Sequence, residues 1–222
     1  MSDVRQAALA LGYSLAAPVA GEAPPPLRPA ALGPERLRAW AAALADLHAL
    51  VPPERLPAAP LPDWLAQVSQ PWPVDVAPLL TQAAWMRQGA SPPAGGARIC
   101  HRRWWLRHVR FQGEAVASVG GWEAAGLGDP AGDLASVEIG LVADGASAAA
   151  AESYAAAFLA AYAEAGGPAP SGLGTWRLAL AGEQLATALQ ARERGERGTI
   201  AAAAVSLWAR LLGRLLTSRR LD

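Results

Sequence analysis

Lysine is absent from this 222-residue chain: its 19 basic side chains are all arginines, balanced by 19 acidic ones. Without lysine there is no Schiff-base chemistry and no ammonium group to hold a nucleotide phosphate. The zero net charge argues against a general nucleic-acid binder. Cysteine is nearly absent as well. Cys100 alone can form neither an intramolecular disulfide nor a cysteine-based zinc cluster, so nothing points to an oxidising compartment. No run of about 18 apolar residues is free of charge, so no segment reads as a membrane span. The Met-Ser-Asp start carries neither the basic nor the apolar region of a secretory leader. The expectation is a cytoplasmic protein with no membrane and no nucleic-acid partner. What is abundant is alanine, at 54 residues, so the 52% hydrophobic fraction overstates the core. Large apolar side chains make up roughly a quarter of the chain, an ordinary globular load. Arginine without lysine, in so alanine-rich a chain, points to a GC-rich bacterial genome.

The chain reads as one domain over residues 1–222. Residues 1–33 are a proline-rich lead-in, with Pro24, Pro25, Pro26 and Pro29 forbidding a helix and Tyr13 to Val19 a short strand before a turn at Gly21-Glu22. Residues 34–97 are helical. Pro34 opens a helix through about Leu50, its apolar Leu37, Trp40, Leu44, Leu47 and Leu50 recurring every three or four residues, with His48 on the same side. A proline-punctuated connection follows, with one helical turn near Trp64 and Leu65, then a helix over 76–88 and a loop from Ser91 to Gly96. Residues 98–135 hold short β segments at 99–101, 109–111 and 115–119, the last two turned into a hairpin by Gln112-Gly113-Glu114. Residues 136–222 are helical, with helices expected at 133–142, 147–165, 173–192 and 199–217. Asp133 and Thr199 are candidate N-caps, and Gly166-Gly167 is a stop. The fold class is α+β, predominantly helical, around one small β-hairpin.

The informative stretch is CHRRWWLRHVRFQGEAVASVGGWEAAGLGDPAGDLA, residues 100–135. It resembles the aminoglycoside phosphotransferase and choline kinase-like family, whose pattern is H-G-D-x-x-x-x-N, a hairpin, a D-W pair, and G-D-P-x-x-D-L-A. His101 to Trp122 fits that spacing without a gap, and Trp122, Gly128-Asp129-Pro130 and Asp133-Leu134-Ala135 match residue by residue. The branch it is most similar to is that of phosphotransferases associated with acyl-CoA dehydrogenases, through Cys100, His101, Leu106, Val109 and Phe111. Ala45-Asp46-Leu47-His48, Tyr162 with Gly166-Gly167, and Trp176 to Ala179 extend the likeness over about residues 10–215. The resemblance implies the helical C-lobe of a kinase-like phosphotransferase. It further implies relatives that transfer the γ-phosphate of ATP, with Mg²⁺, to a hydroxyl of a small molecule. The resemblance implies that residues 12–22 correspond to the hinge of such an enzyme, and the expectation is a C-lobe without an N-lobe counterpart in this sequence.

The same alignment exposes departures. The family's catalytic aspartate falls on Arg103, its metal-binding asparagine on His108, and its second metal-binding aspartate on Gly121. Magnesium requires hard oxygen ligands, which none of these supplies. A unit positive charge 4 Å from a divalent cation is repelled by roughly 8 kcal/mol at an effective dielectric of about 20. The reading is therefore a catalytically inactive, pseudokinase-like member with no metal and no cofactor, although the family implies ATP and Mg²⁺.

Arg98, Arg102, Arg103, Arg107 and Arg110 crowd this loop with Trp104 and Trp105. Together Arg102, Arg103, Trp105, Arg107, His108 and Glu123 form a candidate ligand-binding set for an anionic small molecule such as coenzyme A, a nucleotide or phosphate. The bland alternative is a relaxed loop whose arginines are solvated or paired with Glu114, Glu123, Asp129 or Asp133. His101, Trp122, Asp129 and Asp133 are read, from the resemblance, as structural support of the loop. Two other readings stay open: an active phosphotransferase with a metal site relocated to Glu123, Asp129 and Asp133 or an N-lobe supplied by another chain, and a structural or dimerisation module that meets a second copy or a partner protein through the surface an N-lobe would cover. The remaining tryptophans, Trp40, Trp64, Trp85, Trp176 and Trp208, are core candidates. Cys100 reads as a buried thiol, not a nucleophile. The last helix, apolar along Ile200, Ala204, Leu207, Leu211 and Leu215, reads as docked on its own domain.

Overall fold

The computed structural model describes residues 28–52, 66, 68, 72–88, 98–195 and 198–217. The expected strand at 13–19, the turn at Gly21-Glu22, the helical turn near Trp64 and the loop at 91–96 lie outside the described residues. The chain divides into two compact units, one of residues 1–60 with 94–170, the other of residues 61–93 with 171–222.

The first unit is built on three helices. Helix α1, Pro34–Ala49, starts with proline at its first position, where the missing N–H is no loss. It buries Leu37, Trp40, Leu44, Leu47 and His48. Helix α3, Pro130–Ala143, is buried along Pro130 to Val142 and forms the unit's centre, as expected of a helix with no continuous polar face. Helix α4, Ala148–Glu164, is capped by the Ser147 hydroxyl, which accepts from the Ala150 N–H at 3.2 Å. It packs on α1 and α3 through Ala151, Ala155, Phe158 and Tyr162. Trp40 meets Phe158 edge-on at 4.8 Å. Gly166, at φ +84°, ends α4 as the glycine pair requires.

Two small antiparallel sheets lie between α1 and α3 in the chain. Strands β2, Val109–Gln112, and β3, Ala115–Val119, form the expected hairpin, turning at Gly113 with φ +61°. The second sheet was not expected: β1, Arg98–Cys100, pairs with β4, Gly126–Gly128, placing Ile99 opposite Leu127. A three-residue strand with two glycines carries almost no β signal of its own, and its pairing is imposed by the partner strand. Asp133 is not a helix cap. Because Pro130 takes the first helical position, α3 begins three residues earlier, and Asp129 caps it by accepting from the Ala131 N–H at 2.8 Å.

The second unit holds α2, Ala77–Gln88, α5, Leu173–Glu193, and α6, Gly198–Thr217. Thr199 falls inside α6 rather than ahead of it. The helix packs on α5 and α2. Its buried face runs through Ala201, Val205, Trp208, Leu211, Leu212 and Leu216, so of the expected line Leu211 is buried while Ala204, Leu207 and Leu215 are half-buried. Trp208, the largest apolar side chain on the helix, centres the packed face. Arg192 of α5 grips the Asp75 carboxylate ahead of α2 through both terminal nitrogens, at 2.8 and 3.3 Å. Among the described residues no helix is long and apolar enough to cross a membrane.

Candidate functional site

The Asp133 carboxylate, fully buried in the first turns of α3, organises the loop that follows β1. Its Oδ2 accepts from the His101 backbone N–H at 2.7 Å and from His48 Nε2 at 3.1 Å, and its Oδ1 accepts from the Arg102 backbone N–H. His48 in turn pairs through Nδ1 with the Tyr162 hydroxyl at 2.7 Å. One buried polar chain therefore joins α4, α1, α3 and the loop. Burial raises the carboxyl pKa, but the histidines and the backbone donor outweigh it and hold Asp133 below the usual carboxylate range. The Cys100 thiol lies in the same core and is pushed up by burial and by Asp133, so it stays protonated and inert. His48, Cys100 and Asp133 lie close enough to hold a metal ion. His48 and Asp133 are, however, already hydrogen-bonded to each other and to protein partners.

The loop continues through His101, whose ring is wholly buried. Its Nε2–H donates to the Gly120 carbonyl at 2.8 Å, while Nδ1 accepts from the Arg103 N–H at 3.3 Å. The second bond requires the neutral ring, and together the two fix its Nε2–H tautomer. Burial accordingly depresses its pKa to about 4. Trp122 stands edge-on to this imidazole at 4.6 Å and donates its indole N–H to the Val119 carbonyl at 2.6 Å. Trp104 is fully buried and stands edge-on to the same imidazole at 5.4 Å, its backbone N–H donating to the Ser136 hydroxyl at 2.9 Å. His101, Trp122 and Asp133 thus meet around one turn of the loop, while Asp129 sits at the start of α3.

The outer half of the loop is a stack of cations and rings. The Arg107 guanidinium lies 4.4 Å over the Trp105 ring and pairs with Asp144 at 2.6 Å. Arg103, exposed, lies 5.9 Å from the same ring. His108 stacks on Trp105 within 13° of parallel, with centroids 5.8 Å apart, and its Nδ1–H donates to the Arg103 carbonyl at 2.9 Å. Arg110 turns back to donate to the Arg107 carbonyl at 2.8 Å. Arg103, Trp105, Arg107 and His108 are therefore brought together, whereas Glu123 is exposed on the short turn after Gly121. Sequence reasoning missed two members, Asp144 and Gly140. Asp144 lies past the end of α3, outside the acids weighed as partners. Gly140, in the middle of a helix, was itself a signal of close approach, because the Trp105 ring rests against it.

Arg103, His108 and Gly121, the three positions on which the resemblance places a base and metal ligands, hold no carboxylate or amide oxygen. Gly121 has no side chain and adopts φ +78°. The His108 ring lies where a side chain at 121 would begin, and its Nδ1–H is already donated. Arg103 adds a cation. This donor set does not fit a magnesium ion. Of the acids available for a relocated site, Asp133 is committed to three donors, Asp129 caps α3, and Glu123 is exposed.

The helices around a loop anchored on a buried Asp–His pair define a kinase-like phosphotransferase fold. The chain belongs to the phosphotransferase enzyme family, whose profile matches residues 5–178. A comparison with the curated proteins finds no match. Among solved structures, a type I macrolide 2′-phosphotransferase is 25% identical with a TM-score of 0.54, over 77% of this chain and 58% of that one. The macrolide 2′-phosphotransferase of Brachybacterium faecium is 23% identical with a TM-score of 0.50, over 88% of this chain and 63% of that one. A choline/ethanolamine kinase family protein of Mesorhizobium loti shares 16% identity at a TM-score of 0.69, over 99% of this chain and 79% of that one. The chain thus spans about three fifths of the length of the two macrolide phosphotransferases.

Proposed function

We propose that this chain is a non-catalytic member of the phosphotransferase family that binds an anionic small molecule through the former catalytic loop, without magnesium. The observation that carries this reading is the seating of the His108 ring over Gly121, which leaves no oxygen ligand at either metal position and a cation at the position of the base. Arg103 is exposed at the mouth of the loop, beside the Trp105 ring, and its guanidinium suits a phosphate or carboxylate. Coenzyme A, a nucleotide or free phosphate are the ligand classes this chemistry fits.

The test is a thermal-shift series with coenzyme A, inorganic phosphate, and ATP with and without Mg²⁺, on the natural chain and on Arg103→Ala. A ligand that binds the folded state raises the melting temperature by mass action. The expected result is a shift with at least one anion, insensitive to Mg²⁺ and reduced in Arg103→Ala. Absence of any shift, or one that depends on Mg²⁺, would sink the reading.

Membership of the family, with a 25% identical macrolide phosphotransferase among its relatives, favours a second reading: an active enzyme that works with an atypical metal site or with an N-lobe supplied by another chain. Its signature is Mg²⁺-dependent consumption of ATP by the purified protein, lost in Trp122→Ala. A dimerisation module has less behind it, since Val51 and Val74 are the large apolar side chains exposed among the described residues.

A further inference from the structure

Two rings of the loop rest where glycine leaves room for them. A Cβ on Gly121 would lie 2.6 Å from His108 Nδ1 and 2.8 Å from its Cε1, and a Cβ on Gly140 would lie 2.5 Å from Trp105 Cδ1 and 2.6 Å from Cγ. Separations under 3.0 Å are closer than side chains tolerate, so a methyl group at either glycine forces the ring to move. Neither ring is the loose end of a flexible chain. His108 is fixed by its Nδ1–H bond to the Arg103 carbonyl and by its own carbonyl, which accepts from the Gly120 N–H at 2.8 Å. Trp105 is held between the Gly140 backbone, the Arg107 guanidinium and the parallel His108 ring.

We infer that Trp105 and His108 form a self-filled plug, each ring seated on a glycine, in which His108 occupies the volume where a side chain at position 121 would start while Trp105, stacked on it and seated on Gly140, backs it, and that the plug so closes the site to divalent cations. The inference rests on the reading of the loop as non-catalytic and adds a cause: the two glycines and two rings depend on one another. A ligand of this cleft then binds as a metal-free anion at the exposed Arg103 side of the stack. Substituting Gly121 alone restores nothing, because the imidazole stands where the new side chain begins.

The test is a pair of double-mutant cycles read by thermal unfolding, and Gly140 gives the sharper one. In mid-helix, Gly→Ala ordinarily raises stability. Here Gly140→Ala should lower the melting temperature of the natural chain and raise it, or leave it unchanged, when Trp105 is replaced by Ala. Equal shifts in the two backgrounds would overturn the plug. Should Trp105→Ala fail to fold, the cycle of Gly121→Ala with His108→Ala serves. The backbone strain at Gly121 is the same in both of its backgrounds, so any difference reports the ring, and additivity there again overturns the idea. Electron paramagnetic resonance with Mn²⁺ alone should show no ion bound to the natural chain at micromolar protein, and a bound ion would overturn it. Coupled cycles without any anion-induced thermal shift would uphold the plug while removing the anion reading. An anion shift with additive cycles would do the reverse.

Discussion

His48 Nε2 lies 3.1 Å from Asp133 Oδ2, with both side chains completely buried and 85 residues apart in the chain. The pair ties the last turn of α1 to the start of α3, and through Asp133 to the backbone of the loop at 101 and 102. A buried carboxylate is stabilising only if its lone pairs are filled, and here three donors fill them. The loop's shape therefore rests on Asp133 and does not depend on the side chains at 103, 108 and 121.

Asp133→Asn keeps the shape of the side chain but turns an amide N–H toward donors that need an acceptor. At least one buried donor is left facing another, and stability should fall by about 3 kcal/mol, measured as a lower urea midpoint. Tyr162→Phe removes only the outermost link and should lose about 1–2 kcal/mol. A loss below that of Tyr162→Phe in Asp133→Asn would mean that the loop is anchored elsewhere.

The buried imidazole of His101 sets the pH dependence. Its pKa is about 4 in the folded chain, against 6.5 for a free histidine, because burial opposes the charged form. Between these values the unfolded chain binds a proton that the folded chain refuses, so stability is complete above 6.5 and declines as the pH falls toward 4, by up to about 3 kcal/mol. Below that range the lowered Asp133 takes over: its contribution is present above the ordinary carboxyl value of 3.8 and is lost as the pH falls through the folded one. Urea midpoints at pH 7, 6 and 5 should drop steadily, and His101→Gln should flatten the slope. Because burial lowers His108 as well, some slope should persist in that variant. An unchanged slope would place the proton elsewhere.

Much of this was legible in the sequence. Periodicity and punctuation located the helices to within a few residues, because Pro34 and Gly166 act locally and each carries its own rule. His101, Trp122, Asp129 and Asp133 could be singled out because one segment of 33 residues carries them all, and His101, Trp122 and Asp133 do meet around one turn of the loop. What could not be read was what depends on distant partners. Strand β4 exists because β1 needs a neighbour, and Asp144 pairs with Arg107 because the end of α3 returns to the loop. That the resemblance sets His108 and Gly121 on polar positions of the family was visible, but not that the ring of one lies where a side chain on the other would begin, since no spacing rule relates a ring to a missing Cβ.

Asp129 shows how one misplaced cap can be checked. It accepts from the Ala131 N–H at 2.8 Å and precedes Pro130, so it holds the first turn of the most buried helix. Asp129→Ala should lower stability by about 1 kcal/mol, and Asp129→Ser, which keeps an acceptor at the cap, should recover most of it. Failure of serine to rescue would assign Asp129 a role beyond the cap.

Arg102 is the one non-glycine residue with positive φ among the described residues, at +73°. A left-handed backbone costs a non-glycine residue about 1 kcal/mol, and the Arg102 N–H bond to Asp133 holds it there. Arg102→Gly relieves that strain but gives the unfolded chain more freedom, so the net gain should be about 0.5 kcal/mol. Arg102→Val, branched at Cβ, should lose more than 1 kcal/mol, because branching makes the left-handed region least accessible. The order expected from chemical denaturation is glycine, then arginine, then valine. If glycine proves the least stable of the three, the guanidinium and its contacts, rather than the backbone, fix this residue in the loop.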